Sequence, residues 1–395
     1  MNHSMRTESP CAAGWRALVL AVLVSATFTA TVRATPIVPQ RDDEVIEVLP
    51  AAAERSEERR ARKALAEHPD DAVLAVAVAR RDLERAREVG DPRFAGHALA
   101  AMAHWTDVRS MPDEVLLMQA TVQQYLHDFD AAVRNLEALV ARPGTHPQAW
   151  LTLATVLRVQ GRYAESDAAC RGVQRAGADL HARACLAENA GLRGDVRSAR
   201  AAFAELLSRP GLPAGVTNWL LVSVAELEER DGEPDAAEVA YRAVLQRDAD
   251  AYAVLAYADF LIDRQRPREA LAVLADQPRT DAVLLRLAIA GVQARTPGAS
   301  RDAAEMRERI ALANERPEAR VLHGREQAMF ALHVEHDAKR ALDLSRGNVE
   351  RQREPLDLLV YAQAARAAGD AAARRDARRV RDAIGLHDRR MAPEL

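Results

Sequence analysis

The sequence predicts an all-α solenoid of stacked antiparallel helix pairs. Six small residues each follow a short turn signal, at Ala95, Ala132, Ser166, Ala199, Ala237 and Ala270. Their separations are 37, 34, 33, 38 and 33 residues. A period of about 34 residues is the length of one helix–turn–helix unit. Because each unit of such an array contacts only its neighbours, we expect one continuous object rather than several independent domains.

The composition supports closely packed helices. The chain has 395 residues, of which 49% are hydrophobic and only 4% aromatic. Alanine is the best helix former, and the β-branched and aromatic runs typical of sheets are scarce. The formal net charge is −4, from 54 basic and 58 acidic residues. A nucleic-acid binder is usually strongly basic, so we expect no nucleic-acid partner.

The first 34 residues resemble an export signal. Arg6 and Arg16 supply positive charge, residues 17–30 form an apolar run, and Val32-Arg33-Ala34 offers small residues for cleavage. An apolar run of this length is short for a membrane span. We therefore expect cleavage near Ala34 and a periplasmic or secreted bacterial protein. The alternative is an uncleaved N-terminal helix that tethers an assembly or secretion accessory factor to the membrane.

The remaining chain divides into four regions. Residues 35–50 contain three prolines and are expected to form a linker. Residues 51–70 are expected to form a charged capping helix, followed by a solenoid of about eight helix pairs over residues 71–385 and a tail over residues 386–395. In the last unit Arg374 stands where a small residue is expected. The final basic stretch therefore reads as a solvated capping helix, with a basic site for an acidic partner or membrane surface as the alternative.

Residues 147–173 resemble a tetratricopeptide repeat (TPR). The family's Trp, Leu, small residue, Leu and turn Gly are matched by Trp150, Leu153, Ala154, Leu157 and Gly161. Ser166 replaces the usual Ala, and Cys170 replaces an aromatic residue. The resemblance covers about residues 71–385. It implies a right-handed superhelix whose first helices line a concave groove, and a scaffold that binds a protein or peptide without catalysis.

The family's register places nine side chains in that groove. They are Tyr125, Arg158, His181, Glu188, Trp219, Glu226, Arg230, Tyr252 and Asp259. Glu188, Glu226 and Asp259 share one position in three consecutive units, so they predict an acidic stripe beside the rings of Trp219 and Tyr252. Rings and charges together suit an extended peptide or a partner helix, of basic or neutral character. The alternative is a solvated helix face.

No sequence motif predicts catalysis or a cofactor. The chain has no nucleophile elbow, phosphate-binding loop or dinucleotide fingerprint. His333 and His336 lie three residues apart, with His323 earlier, but the stretch runs into a turn. We expect solvated polar residues there rather than a metal site. We predict no enzyme, although an unrecognised active site is the remaining alternative.

Two cysteines follow the signal segment. Cys170 and Cys185 are expected on consecutive antiparallel helices. An exported chain meets an oxidising compartment, where a disulfide can form. Two small buried thiols are the equal alternative.

Overall fold

The computed structural model describes residues 52–247, 249–315 and 324–395. The predicted signal peptide and linker lie outside the described residues. Residues Glu58–Leu395 form one compact unit. Of the preceding unit, only the beginning of the first helix is described. Within the described ranges, no helix is both long enough and apolar enough to cross a membrane.

Nineteen α-helices and one short 3₁₀ turn make up the secondary structure of the described residues. The first ten helices are α1 Ala52–Glu67, α2 Ala72–Val89, α3 Arg93–Ala101, α4 Asp113–Tyr125, α5 Phe129–Val140, α6 Pro147–Val159, α7 Tyr163–Arg175, α8 Asp179–Leu192, α9 Val196–Leu207 and α10 Ala214–Asp231. The others are α11 Pro234–Leu245, α12 Ala251–Asp263, α13 Pro267–Leu274, α14 Asp281–Ala294, α15 Ala299–Asn314, α16 Gly324–His333, α17 Ala338–Val349, α18 Pro355–Ala367 and α19 Ala371–Ile384. The 3₁₀ turn is Arg389–Met391.

Helices α2 to α19 form nine successive pairs within the described residues, from α2/α3 to α18/α19. The two helices of each pair pack against each other. The first helix of each pair also packs against the first helix of the next pair. The first helices therefore form one continuous layer, and the predicted all-α solenoid of stacked helix pairs is confirmed.

The turn inside every one of these nine pairs contains a residue in the left-handed backbone region. Five of these residues are glycines and four are not: Gly90, His127, Gly161, Gly194, Gly232, Gln265, Arg295, His336 and Gly369. A positive φ angle reverses the chain within a few residues, so the second helix returns alongside the first. At several of these turns an aspartate then caps the second helix, as Asp128, Asp195, Asp337 and Asp370 do.

The six small residues that mark the repeat lie where the helices cross. All six residues have 0% of their surface exposed. An alanine lets two helix backbones approach closely, which a larger side chain would prevent. Ser166 fits the same place because its hydroxyl donates a hydrogen bond to the Ala154 carbonyl oxygen at 2.7 Å. The hydroxyl is thus satisfied within the core.

A second close approach occurs at Gly172 in α7. A Cβ atom at this position would lie only 2.3 Å from Cδ2 of the Trp150 ring. We expect Gly172→Ala to lower the free energy of unfolding by roughly 1–3 kcal/mol, because overpacking outweighs the better helix propensity of alanine. Urea denaturation measures the change.

The matched control is Gly96→Ala in α3, where a Cβ atom would meet nothing within 4 Å. This variant should gain up to about 1 kcal/mol from helix propensity alone. Equal effects at the two glycines would show that the Trp150 ring does not restrict position 172.

The end of the chain differs from the expected solvated cap. Helix α19 buries only Ala373 and Ala377, but Leu386, Met391 and Leu395 beyond it are buried. These residues fold back onto the array, which a solvated tail would not do. Arg374, which replaces the expected small residue, donates through Nε to the Glu394 carbonyl oxygen at 2.9 Å. The arginine therefore binds the returning chain where a further helix pair would otherwise pack.

Candidate functional site

The nine predicted groove residues all lie on first helices. Tyr125 belongs to α4, Arg158 to α6, His181 and Glu188 to α8, Trp219, Glu226 and Arg230 to α10, and Tyr252 and Asp259 to α12. Because the first helices pack side by side, eight of these residues fall on four adjacent helices, from α6 to α12. Tyr125 lies one helix earlier, where its hydroxyl donates to the Ala86 carbonyl oxygen at 3.1 Å.

Glu188 is the centre of the contacts between α6, α8 and α10. Its carboxylate forms an ion pair with the Arg158 guanidinium. It also accepts hydrogen bonds from Trp219 Nε1 at 3.0 Å and from the Ser223 hydroxyl at 2.8 Å. His181 stacks on the Trp219 ring, with 5.9 Å between ring centroids and 18° between planes. One carboxylate thus fixes the orientation of an indole ring in the groove.

Glu226 links α10 to α12. It accepts a hydrogen bond from the Tyr252 hydroxyl and lies 3.8 Å from Nη1 of Arg230. Burial raises the pKa of the Glu226 carboxyl, and the nearby Arg230 opposes that change. The Glu226 carboxylate, followed by burial, raises the pKa of the Tyr252 hydroxyl well above its usual value. The Tyr252 hydroxyl is therefore a stable donor, while 61% of the residue's surface is exposed.

Asp259 continues the same pattern toward α14. Its carboxylate forms an ion pair with Arg286 at 2.6 Å. The Arg286 side chain is buried, so the charge of Asp259 is largely neutralised inside the array.

The three carboxylates of the predicted acidic stripe are all paired with arginines. Arg158 and Arg230 belong to the predicted groove set, but Arg286 and the hydroxyl of Ser223 were missed by sequence reasoning. The available signal was spacing, since Arg158 precedes Glu188 by 30 residues and Arg286 follows Asp259 by 27. The three carboxylates therefore join neighbouring helix pairs, and their net negative charge is smaller than the sequence suggests.

Cys170 and Cys185 form a disulfide in the structure, with 2.01 Å between the two sulfurs. The sequence left open a disulfide or two buried thiols, and the structure contains the disulfide. The bridge joins α7 to α8 and so links one helix pair to the next. Asn189 lies beside it and donates from Nδ2 to the Ser166 hydroxyl at 2.9 Å. The bridge is part of the packed layer rather than of the groove surface.

The part of the chain that the structure describes holds no cluster of three or more His, Cys, Asp or Glu residues arranged to bind a metal. His336 is the left-handed residue of the α16–α17 turn. His333 is half-buried at the end of α16, and its partial burial lowers its pKa. His323 lies outside the described residues.

Comparison with known proteins finds no matching family model and no matching curated protein. Among solved structures, 33 chains match. One of them is the crystal structure of the P58(IPK) TPR domain, which is 13% identical. The match covers 81% of this chain and 95% of that chain, with a TM-score of 0.20. A TM-score this low does not support a fold assignment. The evidence for the solenoid architecture is therefore the packing of the helix pairs described above.

Proposed function

We propose that this chain is a protein-interaction scaffold that holds a segment of a partner protein across α8, α10 and α12, without a covalent step. The observation that carries the proposal is the exposed ring of Tyr252 on α12, whose hydroxyl donates to Glu226 on α10, the helix that also carries the fixed ring of Trp219. Arrays of stacked helix pairs present extended surfaces of this kind to other molecules. Aromatic rings supply contact area at a low cost in conformational entropy.

The electrostatics of the groove favour a neutral or basic segment. Glu188 and Asp259 each have an arginine within direct contact. Glu226 has its arginine only at 3.8 Å, which leaves its carboxylate as the least neutralised of the three. An incoming cation would pair with the half-buried carboxylate of Glu226, whereas an incoming carboxylate would be repelled. The partner segment is thus expected to place an apolar or aromatic group on Tyr252 and a donor near Glu226.

Site-specific photo-crosslinking tests the groove. A benzoylphenylalanine replaces Tyr252 in one variant and Val239 in a matched control. Val239 is similarly exposed to solvent, with 71% of its surface accessible, but it lies on the second helix of its pair. In extract of the source organism, position 252 should capture a partner that position 239 does not. Capture of the same proteins in the same yield at both positions would overturn the groove assignment.

We also propose that the protein is exported, with the apolar run of residues 17–30 as the support. The mass of the mature protein from its source tests this proposal. A chain that begins near Thr35 is the expected result. A chain that retains residues 1–34 would contradict cleavage and favour the tethered alternative.

A further inference from the structure

The last residues of the chain lie along the turns of three successive helix pairs. The turns are those inside α6/α7, α8/α9 and α10/α11, at Gly161, Gly194 and Gly232. A Cβ atom on these glycines would lie 3.0 Å from Ile384 Cγ2, 3.3 Å from His387 Cβ and 3.3 Å from Arg389 Cδ, respectively. The end of α19 therefore meets the turn at Gly161, and residues 385–395 meet the next two turns, at Gly194 and Gly232. The missing side chains at these two turns leave the room that the returning segment occupies.

Main-chain and apolar contacts hold residues 385–395 in this position. The His387 amide donates to the Leu192 carbonyl oxygen at the end of α8, at 2.7 Å. Leu386 and Met391 are buried in the same apolar cluster as Tyr163 of α7. The segment is thus held by a backbone hydrogen bond and by two apolar side chains, the second of which lies in the 3₁₀ turn Arg389–Met391.

The charges at this place are complementary. Helix α10 ends with Glu229 and Asp231, although the carboxyl end of a helix already carries partial negative charge and favours cations. Arg390 forms an ion pair with Glu229. Arg389 Nε and His387 Nε2 lie 3.6 Å and 3.4 Å from Asp231 Oδ1. The carboxylates at the end of α10 are thus paired with positively charged side chains of the returning chain.

One buried polar group beside the returning chain has no hydrogen-bond partner among the described residues. It is the Tyr163 hydroxyl, and Tyr163 is more than nine-tenths buried. Tyr163 belongs to the same apolar cluster as Leu386 and Met391 of this chain segment. A buried donor without an acceptor is costly, so the surface offers one more hydrogen bond than residues 385–395 use.

We propose that the turns at Gly194 and Gly232 and the acidic end of α10 form a binding site for an arginine-bearing segment of a partner protein, and that residues 385–395 occupy it as an internal competitor. The arginine of the partner replaces Arg390 on Glu229. Its backbone replaces the His387 hydrogen bond to Leu192, and one of its acceptors meets the Tyr163 hydroxyl. The site lies at the turns rather than on the rings of the groove, so it stands independently of the proposed groove.

The segment has solvent-accessible contacts through Arg389 and His387, whereas the Arg390 and Glu229 side chains are only 23% and 11% exposed. The Arg389 side chain is 60% exposed and that of His387 34%. Ion pairs of this kind contribute little each and are weakened by salt. An arginine-bearing segment of another molecule can therefore displace them.

A fluorescent peptide with the sequence of residues 385–395, GLHDRRMAPEL, is the probe, and the full-length chain is the receptor. The full-length Arg390→Glu variant places like charges at Glu229 and so releases its own segment. Fluorescence anisotropy should show that this variant binds the peptide at least about tenfold more tightly than the unmodified chain. A peptide with the same Arg390→Glu change should not bind either chain. Added salt should weaken binding.

The matched control is the full-length Arg379→Glu variant, which changes an arginine on the exposed face of α19. It should bind the peptide as weakly as the unmodified chain does. An Arg390→Glu chain that keeps its helix content but binds the peptide no better than this control would overturn the proposal.

Hydrogen exchange of the unmodified full-length chain gives a second measurement that does not depend on how the variant folds. The His387 amide should exchange through a local opening, faster than the amides in the middle of α10. An excess of the peptide should accelerate exchange of residues 385–395. Exchange of the His387 amide only with global unfolding would overturn the proposal.

Discussion

Replacing Glu188 with alanine is expected to lower the free energy of unfolding by about 3 kcal/mol. The substitution leaves the Arg158 guanidinium without its carboxylate and removes the acceptor of both Trp219 Nε1 and the Ser223 hydroxyl. All three donors are partly or wholly buried, so water replaces the lost partner poorly. Urea denaturation followed by circular dichroism measures the loss.

Two further variants separate the causes. Glu188→Gln keeps an acceptor for Trp219 and Ser223 but loses the charge that pairs with Arg158, so its loss should be intermediate. Glu205→Ala breaks the ion pair with Arg183 on the exposed surface and should leave stability close to that of the unmodified chain. Equal losses at Glu188 and Glu205 would contradict the central role of Glu188 in joining α6, α8 and α10.

Asp357 should make stability depend on pH in the opposite direction from an ordinary ion-paired carboxylate. Burial raises its pKa from 3.8 to about 7, with Glu354 adding to the rise and Arg325 opposing it. The folded protein therefore binds this proton more tightly than the unfolded chain does. The stabilisation is fully present below the unfolded pKa and is lost as pH rises through about 7. A rise of roughly three pKa units corresponds to at most about 4 kcal/mol.

The Asp357→Asn variant removes this titration while retaining an acceptor for the Glu354 backbone amide, which Asp357 Oδ2 binds at 2.8 Å. Relative to the unmodified chain, the variant should gain stability as pH rises from about 4 to about 8. Urea midpoints at a series of pH values measure the gain. Asp343→Asn, at an exposed position on α17, is the control and should show no such trend. Parallel curves for Asp357→Asn and the unmodified chain would rule out a buried, proton-binding Asp357.

The fold could be predicted because its signals are local. Five of the six small residues come four positions after the residue that precedes the second helix, as Ala199 does after Asp195, and Ala95 comes three positions after Pro92, so the repeat is visible in one chain. The left-handed backbone at His127, Gln265 and Arg295 was less visible, since none of these residues is glycine. In these turns the packing of the two helices imposes the backbone angle that the residue type alone does not favour.

The placement of Glu188, Glu226 and Asp259 on first helices could be predicted from the repeat register, but their contacts could not. The pairing of Glu188 with Arg158 and of Asp259 with Arg286 was missed because each partner lies in a neighbouring helix pair, 30 and 27 residues away. Similar spacings recur elsewhere in the chain, since Arg200–Glu228, Arg266–Glu238, Arg309–Asp281 and Arg325–Glu354 are separated by 28, 28, 28 and 29 residues.

The return of residues 385–395 to α8 and α10 could not be predicted from periodicity. Its contacts join residues 156 and 161 positions apart, between His387 and Asp231 and between Arg390 and Glu229. No repeat pattern encodes such a distance. The composition of the segment, with two arginines beside two apolar residues, was read as solvated because nothing in the sequence shows which acidic helix end it meets.

This return contact changes how the array is expected to unfold. In an ordinary solenoid each unit interacts only with its neighbours, so stability is a sum of nearest-neighbour terms and the ends fray first. Here the end of the chain is bound to the fourth and fifth of the nine described pairs. Loosening of the last pair therefore removes contacts from the centre as well, and the intervening pairs are enclosed in one long loop. We expect a more cooperative transition and slower folding than nearest-neighbour contacts alone would produce, because closing a long loop raises the contact order.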